Sequence, residues 1–249
     1  MDESLSLLVI ACVVFLLAGG VKGLLGVGFP TISMAILTQF VSLPVALQIV
    51  LVPTLATNIW QSCDGPHLLT VIKRLWLFYA MNMLLAWLAW RFVLLSWPEE
   101  MKVLLGVLLC IYAAFGLGFK PIRFKPDSEP WASPLCGAIT GFFAGTTGNT
   151  QIPAMAFLDS LRLERDAMIQ AMGLTFGLPM LTIGIGMLAS GDSFDGLPWW
   201  FLLIAMFPAF LGMWLGKRFR HVFSEATFRK LLFGFLLIVG VKLVVGYFL

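Results

Sequence analysis

Lys22 lies about seventeen residues into an apolar stretch, inside the run Gly19-x3-Gly23-x2-Gly26-x-Gly28-x-Pro30. A lysine at that depth is expensive in lipid and reads as a fixed positive charge for an anion, or as one that snorkels or pairs with backbone carbonyls. Thr31 and Ser33 follow it as hydroxyl donors. A second glycine-rich run, Gly137-x3-Gly141-x3-Gly145-x2-Gly148-x4-Pro153, carries Thr146, Thr147, Asn149, Thr150 and Gln151, a cluster able to donate hydrogen bonds to oxyanion oxygens. In each run glycine and proline break a helix, and Gly26 and Gly28 in the first run and Gly145 and Gly148 in the second are candidate substrate-binding positions. Short helices restarting near Pro30 or Thr31, and near residues 150–153, would aim free N–H groups and a positive dipole end at the space beyond the break. Proline suits a first helical turn, where its missing N–H would have gone unpaired. Two such N-termini favour an anion. Gln48 and Gln170 recur at equivalent places in the runs that follow, either to touch that substrate or to hydrogen-bond between packed helices.

Other chemistries lack their residues. No Asp or Glu stands in the middle of an apolar run, since Asp159, Glu164 and Asp166 fall at a boundary, so a carboxylate proton relay or acidic sodium site is unsupported. Only His67 and His221 exist, and neither His-Glu-x-x-His nor Gly-x-Ser-x-Gly occurs, so no catalytic residue, metal ligand or cofactor is expected. Cys12, Cys63, Cys110 and Cys136 are far apart, with no zinc-like spacing, and read as core filler. A net charge of +3 with no basic stripe argues against nucleic acid.

The elements that carry these residues belong in a membrane. Of 249 residues 60% are hydrophobic and 12% charged, with mean hydropathy +0.96, whereas soluble domains carry about 25% charged residues. Apolar runs cover 5–25, 31–41, 44–61, 75–96 and 101–119, then 134–147, 151–158, 167–190, 197–216 and 227–249. Residues 120–132, rich in proline and charge, form a cytoplasmic linker between a first membrane repeat, 1–119, and a second, 133–249. The acidic start, Asp2-Glu3, argues for a first span that is retained rather than a cleaved signal.

The halves look duplicated. Besides the paired glycine runs, Ala46-Leu47-Gln48 matches Met168-Ile169-Gln170, and Val103-Leu104-Leu105-Gly106 matches Leu231-Leu232-Phe233-Gly234. Twelve of the sixteen basic residues fall at one set of boundaries: Lys73, Arg74, Lys120, Arg123, Lys125, Arg162, Arg165, Lys217, Arg218, Arg220, Arg229 and Lys230. The alternate boundaries carry Asp2, Glu3, Glu99, Glu100, Asp192 and Asp195, with Arg91 and Lys102 as the basic residues nearby. Placing the basic set inside requires the first broken hairpin to leave and return on the outer side and the second on the inner side. The expected fold is therefore an all-α polytopic membrane protein of two inverted-topology repeats, each a broken Gly-rich helical hairpin plus three transmembrane helices. Both termini lie outside, and paired broken segments in inverted halves are the mark of a secondary transporter.

The run Gly19-Gly20-Val21-Lys22-Gly23-Leu24-Leu25-Gly26-Val27-Gly28-Phe29-Pro30, its second copy over 141–153, and the ending Leu211-Gly212-Met213-Trp214-Leu215-Gly216-Lys217-Arg218-Phe219-Arg220 with Phe228-Arg229-Lys230 make the chain resemble the sulfite exporter TauE/SafE family of membrane permeases. The resemblance implies a duplicated architecture that moves sulfite or organosulfonates across the bacterial inner membrane. Where members often carry consecutive glycines in both hairpins, this chain has Gly28-Phe29-Pro30 and Gly148-Asn149-Thr150, which widens the expected substrate to other small oxyanions and carboxylates. Sodium held by backbone carbonyls and hydroxyls is one possible coupling ion. With no ion coupled, export is the natural direction, because a cell negative inside expels an anion with about 2.3 kcal/mol per charge per 100 mV. A channel-like anion pathway without alternating access is the alternative. The expected partners are a small anion held between the two half-helix N-termini and the lipid bilayer. Gly173-x3-Gly177 and Gly212-x3-Gly216 suit close helix packing or a homo-oligomer.

Overall fold

The computed structural model describes residues 2–118, 124–125, 128–151, 153–190, 199–219 and 225–248, and these are helical with short connections and no strand. The helices are α1 (Asp2–Leu25), α2 (Phe29–Leu37), α3 (Leu43–Cys63), α4 (Leu68–Ala89), α5 (Pro98–Leu117), α6 (Glu129–Thr147), α7 (Ala154–Ser160), α8 (Arg165–Ser190), α9 (Trp199–Phe219) and α10 (Glu225–Phe248). A π-helical segment, Trp90–Leu94, extends α4. Among the described residues seven helices are long and apolar enough to cross a membrane: α1, α3, α4 with its π extension, α5, α8, α9 and α10. Helices are what such sequences must form in lipid, where each backbone N–H and C=O needs an internal partner. Lys120, Arg123, Asp192, Asp195, Arg220 and His221, used above to place boundaries, lie outside the described residues.

Two helices begin five or more residues ahead of their apolar runs. α4 starts at Leu68 and carries Lys73 and Arg74 through a kink at Leu75, whose φ of −108° and ψ of 18° depart from helical values. α6 starts at Glu129, so the last four residues of the expected linker are helical, with Pro130 in the first turn.

Contacts divide the chain into two compact units, each taken by itself. The first comprises Met1–Pro53, Pro98–Phe119 and Phe194–Leu249; the second comprises Thr54–Trp97 and Lys120–Ser193. The division falls inside α3, at the proline within that helix.

In the first unit α1 packs on α9 and α5 on α10, while α2 rests mainly on α1, with the Phe15 and Phe29 rings 5.4 Å apart. The close approach of α1 to α9 is backbone on backbone: a Cβ on Gly19 or Gly23 would collide with the carbonyl oxygen of Ala209 or Met213, and one on Gly212 or Gly216 with that of Leu16 or Gly20. α5 and α10 cross at Gly106 and Gly240, and a Cβ on Gly106 would sit 2.8 Å from the Gly240 oxygen. Small residues at such crossings let helices gain van der Waals contact where lipid supplies no hydrophobic drive.

In the second unit α4 packs on α6 and α8. Gly137, Gly141 and Gly145, one turn apart on α6, face the backbones of Phe78, Asn82 and Ala86, one turn apart on α4. Gly173 on α8 meets Ser62 and Asn58. Both Gly-x3-Gly pairs singled out in the sequence thus serve packing within a unit.

Candidate functional site

The first break lies in the first unit. α1 closes at Leu25, and the Gly26 N–H donates to the Lys22 carbonyl at 2.7 Å. Gly26 and Gly28 have φ of 82° and 105°, a region that side chains resist, so glycine is required for the chain to turn into α2. α2 begins at Phe29 with Pro30 beside it, and no side chain caps it; its N-cap is Gly28. A helix start left without a side-chain acceptor offers its first N–H groups to a ligand. Lys22 is 3% exposed, Thr31 and Ser33 are fully buried, and the Ser33 hydroxyl has no hydrogen-bond partner. Gln48 sits half-buried one to two turns into α3.

The second break lies in the second unit. α6 ends at Thr147, and Gly148, with φ of 69°, turns the chain away. Thr146 and Thr147 return their hydroxyls to the carbonyls of Phe142 and Phe143, at 2.8 and 2.7 Å. Thr147 Oγ1 also accepts from the Asn149 N–H at 3.2 Å, and Asn149 Oδ1 accepts from the Gln151 N–H at 3.1 Å. These bonds hold the loop in shape and leave its outermost groups bare. Thr150 and Gln151 are buried, yet among the described residues the Thr150 hydroxyl and both polar atoms of the Gln151 amide have no partner. Unpaired buried polar groups are costly, so a site that retains three of them is built for water or ligand.

Of the residues singled out in the sequence, Gly145 stands inside α6 against the Ala86 backbone rather than in the turn, and Gln170 lies in α8. Its amide clamps the α3–α4 turn: Nε2 donates to the Ser62 and Gly65 carbonyls at 2.8 and 2.9 Å, and Oε1 accepts from the His67 N–H at 2.7 Å. Of the two uses open to it in the sequence, hydrogen bonding between elements is the one it makes. At the same end of the second unit, Gln61 Nε2 donates to the Ile169 carbonyl at 3.2 Å, His67 faces Glu164 at 3.7 Å, and Arg74 forms a two-pronged pair with Glu129 at 2.8 Å on both arms.

The sequence does not single out Thr54 and Thr140, whose buried hydroxyls have no partner among the described residues, or Asn82, which donates to the Thr175 carbonyl at 3.0 Å while its Oδ1 has none there. The available signal was position: Thr54 follows Pro53, and Thr140 precedes Gly141 in the glycine ridge. Among the described residues no group of three or more His, Cys, Asp or Glu is placed to hold a metal.

The first break offers hydroxyls and a buried lysine, and the second offers hydroxyls and amides, groups that can donate hydrogen bonds to an oxyanion. Neither curated proteins nor solved structures yield a match to the chain. The family model for the sulfite exporter TauE/SafE matches residues 11–243, a stretch that contains both breaks and all ten helices in whole or in part. With buried donors at two glycine breaks and a family match over nearly its whole length, the chain belongs to the sulfite exporter TauE/SafE family.

Proposed function

We propose that this protein is a secondary transporter that exports a small sulfur-containing anion, sulfite, an organosulfonate or a related oxyanion, across the bacterial inner membrane. One observation carries the reading: the Gln151 amide, 1% exposed and at membrane depth in the expected topology, has neither polar atom paired. An oxyanion accepting from its Nε2, from the Thr150 hydroxyl and from neighbouring backbone N–H groups would relieve that cost, whereas an apolar solute would not. In the first hairpin Lys22 supplies positive charge, and Ser33, Thr31 and the backbone around Gly28 supply donors. Gln48 adds to this hairpin, while Gln170 acts by holding the α3–α4 turn.

The reading includes two inverted-topology repeats. Recurrence of the element pattern supports it: α1, α2 and α3 start or end at 25, 29 and 43, and α6, α7 and α8 at 147, 154 and 165. The packing of each glycine helix supports it too. Gly19 and Gly23 meet Ala209 and Met213 on α9, as Gly137 and Gly141 meet Phe78 and Asn82 on α4. Chain ends that the charge argument puts on one face also meet within each unit: residues 38–39 with 99–103 and 242–247, and His67 and Arg74 with Glu164 and Glu129.

The test is flux from proteoliposomes with radiolabelled sulfite, taurine, sulfate and acetate at clamped potential. Saturable flux of a sulfur anion, accelerated by unlabelled anion on the opposite side, is the expected result. Linear flux without that acceleration would make the protein a channel, and no flux of any sulfur anion would refute the reading.

A further inference from the structure

The C-terminal end of α2, the first turn of α5 and the last turns of α10, all in the first unit, enclose a cavity of about 220 Å³. Its polar lining is Thr38, Gln39, Glu99, Lys102, Lys242 and Tyr247. α5 and α10 run antiparallel, since Gly106 meets Gly240 while Gly116 meets Phe233, so Lys102 and Lys242 lie on the same side of the glycine crossing. Among the described residues neither ammonium has a carboxylate within 4.0 Å, and two lysines against one glutamate leave the lining positive.

Lys242 of this lining borders an apolar stripe on α10. Leu231, Phe235, Ile238, Val241 and Val245 are all exposed on α10, and Lys242 shares their face at four residues from Ile238. From Lys242 back to Leu231 is eleven residues, about 16 Å at about 1.5 Å per residue, or roughly half of a hydrocarbon core about 30 Å thick. The stripe is thus one leaflet deep, with its cations at one end. A free anion would use the cations and leave the stripe idle; a phospholipid uses both.

We propose that this pocket holds the phosphate of an anionic glycerophospholipid, with Lys102 and Lys242 reaching it along their apolar stems and the acyl chains lying on the α10 stripe. Bound there, the lipid braces the α5–α10 crossing. The inference is independent of the transport reading, because none of these residues belongs to either break.

The full chain, purified in detergent, is titrated with phosphatidylglycerol and, separately, phosphatidylcholine, and followed by native mass spectrometry, with inorganic phosphate as competitor. The wild type should prefer phosphatidylglycerol, and the Lys102→Gln/Lys242→Gln variant should bind it roughly ten- to thirty-fold more weakly, a factor of about five for each lysine. Lys102→Arg/Lys242→Arg should stay close to wild type, which separates lost charge from lost fold. Unchanged phosphatidylglycerol binding in the glutamine variant would overturn the proposal. So would equal retention of phosphatidylcholine, or displacement of the lipid by millimolar inorganic phosphate, which would mark a free-anion site.

Discussion

Gln151→Leu should make the transporter more stable and less able to bind its substrate. The substitution roughly conserves volume while deleting two polar atoms that are buried without partners. Each such group carries a desolvation penalty of about 1–3 kcal/mol, and water in a hydrated break offsets part of it. A net relief of about 1–2 kcal/mol, at about 2–4 °C per kcal/mol for a chain of this size, raises the melting temperature of the substrate-free protein by roughly 2–8 °C. Binding moves the other way: one or two hydrogen bonds to a charged oxyanion, about 1.5–3 kcal/mol each, are lost, so KM rises on the order of tenfold to a hundredfold or more. The assay pairs thermal melting in detergent without substrate with concentration-dependent flux in proteoliposomes. A variant that melts below wild type and keeps its KM would show that the amide serves packing, and the assignment of the second break as a binding site would fail.

Four further outcomes follow from the packing and the side-chain pairing. Gly141→Ala drives a Cβ to 2.9 Å from the Asn82 carbonyl carbon and closer still to its oxygen, and backbone cannot swing aside, so melting should fall by several degrees for a loss of about 1–3 kcal/mol. Gly234→Ala, with open space around it, should be neutral or gain up to about 1 kcal/mol from helix propensity. Gln170→Leu removes three hydrogen bonds at the α3–α4 turn and should cost about 3 kcal/mol of stability, read by melting, with KM close to wild type for the molecules that remain folded. The hydrogen bond from Arg74 holds the Glu129 carboxyl below its ordinary value of 4.5, so the pair contributes stability that is present above pH 4.5 and lost as pH falls through the lowered value. Both side chains are partly exposed, and a double-mutant cycle should give about 1 kcal/mol at neutral pH, shrinking toward zero in acid.

Most helix boundaries were legible because lipid imposes one rule on all of them: a run of about twenty apolar residues must close its own hydrogen bonds. The misses have local causes. Lys73 and Arg74 read as a loop, but a helix already nucleated at Leu68 carries two polar residues at low cost where they can reach an interface, and Arg74 finds Glu129 fifty-five residues away. Gly26, Gly28 and Gly148 were legible as breaks because only glycine takes those angles without strain. The duty of Gln170 was not, since its three partners lie 103 to 108 residues earlier in the chain and leave no local pattern.

The pairing of α1 with α9 has a consequence for how the protein is made. Gly19 and Ala209 are 190 residues apart, and a ribosome working at about 5–20 residues per second needs roughly 10–40 s to deliver the second after the first. Throughout that interval the bare glycine face of α1 waits for the helix of this chain that covers it. The contact that packs α1 most closely is thus among the last that translation allows to form.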